Sequence, residues 1–225
     1  MKKILAILII ALAITSCSSD SGSNGFKPTV TKLNLATKIP SNLQQTSPQT
    51  YSQISQMEAY MNLGSAYMNS PSGKTTTPQS DSTWTYGNYT VTFSYLTVGN
   101  QYQYTYTMTQ SGSTYCTIAG WEYTDGSAGH WDYTINASVL GAPSGSNYNI
   151  NFDWIKNALG DYHFVMDFDM GQSNNLHYVA NINHDLSGDF LYTSNSTQYY
   201  SGIWNSTGHG QYTSYLTSPA TVTNF

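Results

Sequence analysis

The side chains best suited to chemistry in this sequence are carboxylates and imidazoles in its C-terminal half. Two carboxylates that flank a reacting bond, or a carboxylate beside a histidine, can act as general acid and base. A hydrolase would need at least two of the following groups to converge in one concave site: Asp153, Asp161, Asp167, Asp169, His163 and His177. Their spacing alone predicts no such convergence, so catalysis is not the first hypothesis.

Metal-ligand spacing is also weak in this chain. Asp167 and Asp169, followed by Gly171, resemble the start of a calcium-binding loop, but no closing glutamate follows at the loop spacing. The five histidines show neither HxH nor HxxxH spacing. The sequence therefore predicts no metal site and no cofactor. If a hairpin forms around Gly171, Asp169 is expected near His177 on its solvated face.

The elements that position these groups are predicted to be β-strands. Most of the range 83–217 alternates aromatic or aliphatic residues with polar ones, which is typical of strands with one buried and one solvated face. Turn signals such as Gly99-Asn100 and Asp125-Gly126 separate the runs, and about ten strands with short connections predict an antiparallel meander. The clearest runs are 89–95, 102–108, 131–137, 148–154, 162–170 and 178–182.

The aromatic face of such a sheet has to be covered. Closure into an up-and-down barrel would bury that face and remove the free edges, so a mainly β barrel is the predicted fold. The alternative is a curved open sheet folded over a helix. The inward side chains either fill the interior or contact a small amphipathic ligand. The candidate ligand-lining aromatics are Tyr104, Trp131, Tyr133, Phe152, Trp154, Phe164 and Tyr178.

One amphipathic helix is predicted before the sheet, over residues 48–69. Ser47 is a suitable N-cap, and Pro48 suits the first helical turn. Apolar or small residues then recur every three or four positions, which predicts one buried stripe; they are Ile54, Met57, Met61, Gly64 and Met68. Residues 70–82 are predicted to form a linker, and residues 218–225 a C-terminal tail.

The N-terminus has the pattern of an export signal. Lys2 and Lys3 precede an apolar run over residues 4–14, which is too short to span a bilayer as a helix. The run ends in Ile14-Thr15-Ser16-Cys17, which resembles the lipobox of bacterial lipoproteins. The resemblance covers only the first 17 residues. It implies a signal peptide over residues 1–16 and a lipid-modified Cys17 as the first mature residue.

The resemblance to lipoproteins also implies a membrane partner and a location. Diacylglycerol on the sulfur of Cys17 and an acyl chain such as palmitate on its amine would together anchor the protein, since one chain alone binds only marginally. Residues 17–47 would form the lipidated N-terminus and tether, with a Gly/Ser-rich stretch over residues 18–27. Ser18 follows the cysteine where an aspartate often retains lipoproteins in the inner membrane, so the outer membrane is favoured.

Composition excludes some partners. Beyond the signal peptide the chain has five lysines, no arginine and twelve acidic residues, a formal charge of −7. Nucleic-acid binding depends on Lys and Arg contacts with phosphates, so it is not expected. The oligomeric state is left open. Cys116 is the only cysteine besides Cys17, so no intramolecular disulfide is expected in the mature protein. Cys116 itself is interpreted as a small buried strand residue.

Two short segments resemble MORN repeats, which are β-hairpin units with a Tyr-x-Gly-x-Trp pattern. Residues 200–212 contain Tyr200, Gly202, Trp204 and a later His-Gly pair, although the gap before His-Gly is one residue short. Residues 120–133 are a looser match. The resemblance covers one or two hairpins without a regular array. It implies hairpins in which glycines let aromatic rings lie over the neighbouring backbone.

Three functions are therefore weighed for a cell-envelope lipoprotein. The first is a noncatalytic binding or structural role at the cell surface or in the periplasm. The second is a hydrolase of envelope glycans or lipids, which needs the carboxylates and histidines named above in one concave site. The third is a self-associating surface or adhesion protein, since uncharged strands can pair edge to edge if the sheet is open.

Overall fold

The computed structural model describes residues 34–62, 82–86, 88–140, 143, 145–171 and 175–225. The predicted signal peptide, Cys17, the stretch 18–27 and nearly all of the predicted linker lie outside these residues. Two 3₁₀ turns occur, at Leu35–Thr37 and Ala137–Leu140. The other elements are α1 (Leu43–Thr46), α2 (Pro48–Met61), β1 (Ser82–Tyr86), β2 (Tyr89–Val98), β3 (Gln101–Gln110), β4 (Ser113–Tyr123), β5 (Ala128–Asn136), β6 (Asn147–Lys156), β7 (Tyr162–Asp169), β8 (Asn175–Ile182), β9 (Gly188–Ser194), β10 (Thr197–Trp204), β11 (Gly210–Ser214) and β12 (Thr221–Asn224).

The strands form one antiparallel sheet in which each strand pairs with its neighbours in sequence, from β1 to β12. The predicted meander and the mainly β fold are confirmed, with twelve strands in the described part of the chain. The sheet does not close, because β1 and β12 are its two edges. The predicted barrel is therefore wrong, and the curved open sheet is confirmed. The segment predicted as a C-terminal tail instead contributes β12.

Helix α2 supplies a physical reason for the open sheet. Barrel closure was expected because the aromatic face needs a cover, and a packed helix provides cover without closure. On α2, the side chains of Ile54, Met57 and Tyr60 are buried in the same core as the aromatic face of the sheet. The Tyr60 ring lies 6.2 Å from the ring of Phe168, between centroids.

The start of α2 agrees with the sequence, whereas its end does not. The Ser47 side chain accepts a hydrogen bond from the backbone amide of Thr50, and Pro48 occupies the first turn. The helix ends at Met61 rather than at residue 69. Gly64 and Met68, which were predicted to extend its buried stripe, lie outside the described residues. Within the described residues, no helix is both long and apolar enough to cross a membrane.

The N-terminal helices are also held to the far end of the sheet. The side-chain amide of Asn42 donates to the carbonyl of Thr207 at 2.9 Å, and the Thr46 hydroxyl donates to the carbonyl of Gly208 at 2.8 Å. Both acceptors lie in the turn between β10 and β11. Tyr178 on β8 donates its hydroxyl hydrogen to Gln53 on α2. The helices therefore contact the sheet at two separate places.

The sheet has a buried inner face and a solvated outer face. Burial alternates along the central strands, as the period of two predicts. Cys116 is buried on the inner face of β4, and burial raises the pKa of its thiol to about 12. The inner face includes all seven aromatics that the sequence singled out: Tyr104, Trp131, Tyr133, Phe152, Trp154, Phe164 and Tyr178.

Four inner-face positions pair a glycine with a large ring directly across the strands. In each pair, an added Cβ on the glycine would approach the ring within 2.6 Å. The rings therefore lie flat over a neighbouring backbone that has no side chain there. The expectation drawn from the MORN-like segments is met locally, since both segments form hairpins. The pairs are Gly120 with Trp131, Gly129 with Trp154, Gly188 with Trp204, and Gly202 with Phe190.

Candidate functional site on the outer face

His130 lies between two carboxylates on the outer face. Its Nδ1 atom is 2.7 Å from Asp153 Oδ1 on β6, and its Nε2 atom is 3.0 Å from Asp132 Oδ2 on β5. The antiparallel register places His130 directly opposite Asp153, and Asp132 follows two residues later on the same face. The two carboxylates are 48% and 52% exposed, whereas the imidazole is 27% exposed. The carboxylate oxygens therefore remain accessible from solvent.

The polar contacts continue across the next strands. Asn151 donates its side-chain amide to Asp132, and the register places Asn151 opposite Asp167 on β7. Asp167 Oδ1 is then 2.7 Å from Nδ1 of His177 on β8. Because successive cross-strand neighbours share one face, these side chains form a row across the sheet.

An aromatic ring lies at one end of this row. Trp121 on β4 is opposite His130 in the register, and the two rings are nearly parallel at 27° with their centroids 6.5 Å apart. Trp121 is partly exposed, unlike the fully buried Trp131 and Trp154. We call the row the outer-face network, comprising Trp121, His130, Asp132, Asn151, Asp153, Asp167 and His177.

A depression of about 350 Å³ lies at the other end of the outer-face network. One wall comes from the turn between β9 and β10, where Asn195 and Ser196 both have positive φ angles and the Asn195 side chain accepts a hydrogen bond from the amide of Asn175. The polar lining residues are Asn151, Asp167, Asp169, Asn175, His177, Thr193, Asn195 and Ser196. The depression therefore combines amide, hydroxyl, carboxylate and imidazole groups with apolar surface from Phe168 and Leu176.

The structure separates most of the residues that a hydrolase was expected to bring together. Only Asp167, Asp169 and His177 line the depression. His177 pairs with Asp167 rather than with Asp169, because the β7–β8 register places Asp169 opposite Asn175. Asp153 instead contacts His130.

The remaining two candidates form separate contacts. His163 is within 2.7 Å of the Asn181 amide oxygen. Asp161 lies directly before β7 and beside His184, and hydrogen bonds from Asn157 and His184 hold the pKa of its carboxyl at about 2. Within the described ranges, no group of three or more His, Cys, Asp or Glu side chains could hold a metal ion.

The inner-face aromatics pack against one another. Tyr104 stacks on Trp131 at 5.1 Å between ring centroids, and Phe152 stacks on Phe164 at 6.5 Å. The indole nitrogen of Trp131 donates to the buried carboxylate of Glu122 at 3.1 Å. These contacts show that the inner-face aromatics pack in the core of the protein. That they also contact a small amphipathic ligand stays a prediction.

Sequence reasoning did not select Trp121 or His130 as site residues. Both lie in the looser MORN-like segment over residues 120–133, for which the sequence predicts only a hairpin. The available signal was strand parity, because Trp121 and His130 are each one residue away from a buried position. That Trp121 lies opposite His130 follows from the register between β4 and β5, which cannot be read from the sequence.

Comparisons with known proteins returned no similar chain. No protein-family model matches the sequence, and neither a curated protein nor a solved structure is significantly similar to it.

The contacts of His130 predict a pH-dependent stability. Both ring nitrogens face carboxylate oxygens, and only imidazolium can donate from both. Burial disfavours the charge, but the hydrogen bonds to Asp153 and Asp132 outweigh it and raise the pKa of His130. This stabilisation is complete below the unfolded-state pKa of about 6.5, and it is lost as the pH rises through the higher folded-state pKa. Urea unfolding of the wild type should give a lower free energy of unfolding above the folded-state pKa of His130 than below its unfolded-state pKa of about 6.5.

The matched variants for this pH effect are His130→Gln and His163→Gln. The first removes the imidazolium between two carboxylates, so its stability should fall less over the same pH window. The second removes a histidine whose described side-chain partner is the uncharged Asn181, so it should keep the wild-type pH dependence. A His130→Gln variant with the full wild-type pH dependence would contradict the assignment.

Proposed function

We propose that this protein is a lipid-anchored protein of the cell envelope with a noncatalytic binding role, and that the outer-face network is its binding surface. The lipobox-like sequence ending at Cys17 supports the anchor. The observation that carries the binding role is the outer-face network itself, a row of hydrogen-bonding groups held in solvent beside Trp121. Such groups are positioned by the sheet before a partner arrives, which lowers the entropy cost of binding.

The exposure of the network favours binding over catalysis. Asp167 and His177 are 57% and 42% exposed. Solvent weakens the electrostatic effect of ion pairs at this exposure, whereas catalytic groups act most strongly where water is excluded. Reversible hydrogen bonding to a partner does not require such exclusion, because interfaces with bridging water bind well. A surface of this kind therefore suits recognition.

The anchor is tested by Cys17→Ser in the full chain, expressed in a bacterium that processes lipoproteins. We expect loss of radiolabelled palmitate incorporation and release from the membrane fraction, because the oxygen of serine does not accept the diacylglycerol. The thermal unfolding temperature of the sheet should stay unchanged, since residue 17 precedes the folded core.

Cys116→Ala is the matched control for this experiment. Cys116 is the only other cysteine and is buried on β4, so the variant should keep its acyl label and its membrane location. If Cys17→Ser still incorporates palmitate at the wild-type level, the anchoring proposal is wrong.

A further inference from the structure

We propose that the outer-face network binds an uncharged, hydroxyl-rich saccharide chain that lies across strands β4 to β8, with one sugar ring on Trp121. This inference rests on the proposed binding role and names its ligand class. Three properties of the surface carry it: the ring beside fixed polar groups, the length of the row and the sign of its charge.

The first property is chemical. A pyranose ring has an apolar face of C–H groups and an equatorial rim of hydroxyls. Trp121 is partly exposed, and its flat apolar ring with few rotatable bonds matches the C–H face. Next to it, the carboxylates of Asp132 and Asp153 are half exposed, and each carboxylate has several lone-pair positions that can accept hydroxyl hydrogens. Their contacts with His130 hold them in place.

The second property is length. The outer-face network crosses five adjacent strands from Trp121 on β4 to His177 on β8. With strands about 4.8 Å apart, the row extends over about 19 Å. A linear chain of several sugar rings matches this length better than a single small molecule does. The depression at the far end, at about 350 Å³, is within the usual size of small-ligand pockets and would hold the end of the chain.

The third property is charge. The network and the depression together contain Asp132, Asp153, Asp167 and Asp169. The lysines of the described residues, Lys38 and Lys156, both lie near the Tyr162 ring instead, each 5.7 Å from its centroid. Among the described side chains of the network, the imidazolium of His130 already contacts two carboxylates, so phosphate-bearing or carboxylate-bearing polymers would meet mainly like charge. An uncharged saccharide avoids this repulsion.

The test is affinity electrophoresis of the detergent-solubilised lipoprotein in gels that contain a soluble polysaccharide. Dextran, mannan, xylan and mixed-linkage β-glucan are the uncharged probes, alginate is the carboxylated probe and chitosan is the amine-bearing probe. We expect retardation by at least one uncharged polysaccharide and none by alginate. Retardation by chitosan alone would show a purely charge-driven contact and would overturn the saccharide proposal.

Variants on the network should weaken this retardation by measurable factors. Trp121→Ala should weaken binding about tenfold or more, while Trp121→Phe should keep most of it because a flat ring remains. Tyr215→Ala is the aromatic control, since Tyr215 is 38% exposed and lies outside the network. Asp153→Asn should weaken binding severalfold, whereas Asp185→Asn, in the turn before β9, should not.

A second arm separates failure of the ligand class from failure of the binding surface. Purified envelope fragments of the expressing bacterium are tested before and after periodate oxidation, which cleaves the vicinal diols of saccharides. Binding that Trp121→Ala and periodate both abolish supports the proposal. Binding that Trp121→Ala abolishes but periodate does not would overturn the saccharide class and keep the binding surface. Wild-type binding by folded Trp121→Ala and Asp153→Asn variants would overturn both.

Discussion

Gly120→Ala is expected to lower the free energy of unfolding by about 3 kcal/mol, a large effect for the addition of one methyl group. An added Cβ at this position would lie 2.4 Å from the backbone carbonyl oxygen of His130 and 2.6 Å from the Trp131 ring. Neither neighbour can move freely, because the carbonyl belongs to the adjacent strand and Trp131 is buried and hydrogen-bonded to Glu122. Urea unfolding followed by tryptophan fluorescence measures the loss.

Two further variants test whether the backbone contact is the cause. At Gly202, the three atoms nearest to an added Cβ all belong to the Phe190 ring and none to backbone, so the loss in Gly202→Ala should be smaller. The control is Ala119→Ser, an exposed outer-face residue on the same strand as Gly120, which should change stability by less than about 0.5 kcal/mol. A Gly120→Ala protein as stable as this control would contradict the proposed packing of Trp131.

The same variant affects the candidate binding surface. His130, whose carbonyl the new methyl group would meet, carries its side chain on the opposite, outer face of β5. Any shift of this backbone would therefore displace the imidazole that holds Asp132 and Asp153. The inner-face packing of Trp131 and the geometry of the outer-face network depend on the same strand pair.

The strands were predictable from sequence because their signal is local. Each run such as 148–154 or 162–170 carries its own alternation of apolar and polar residues, and burial follows that alternation in β6 and β7. The turns were equally local. Gly99 and Gly126 both adopt the positive φ angles that favour glycine, at the positions where turns were predicted. Neither feature requires knowledge of which strands come together.

Closure of the sheet was not predictable in the same way. An aromatic face must be covered in a barrel and in an open sheet alike, so the alternation of residues is the same for both. The difference depends on whether β1 meets β12, and these strands are at opposite ends of the folded domain in sequence. The short β12, with four exposed residues, contains no pattern that indicates which strand it pairs with.

The candidate site could not be predicted from the sequence for a related reason. Its members are ordinary polar residues of four strands and one tryptophan on a fifth, and only the registers bring them into one row. A shift of one residue between two strands would move a side chain to the other face. The β3–β4 pairing contains such an irregularity after Met108, so the outer position of Trp121 could not be obtained by counting from β3. Its parity within β4 was the only usable signal.

Ile54→Asp is the second variant for which a large effect is expected. Ile54 is 2% exposed on α2, in the core that α2 shares with the inner face of the sheet. A carboxylate there has to lose its hydration, so the free energy of unfolding should fall by at least about 4 kcal/mol at neutral pH. Urea or thermal unfolding at pH 7, followed by circular dichroism, measures this loss. Ile54→Val, which stays apolar, should cost only about 1 kcal/mol and should remain folded.

The pH dependence of the Ile54→Asp deficit distinguishes buried charge from a general loss of helix. Burial would raise the pKa of the introduced carboxyl in the folded state, so protonation would remove the penalty of charge burial. The difference from the wild type should therefore shrink as the pH falls through the raised folded-state pKa, and its charge component should be absent below about 4, the unfolded-state pKa of aspartate. Ser52→Asp, at an exposed position of α2, should show neither the deficit nor this pH dependence. A folded Ile54→Asp protein with wild-type stability at pH 7 would mean that α2 does not cover the aromatic face. Cover by α2 would then not explain why the sheet stays open.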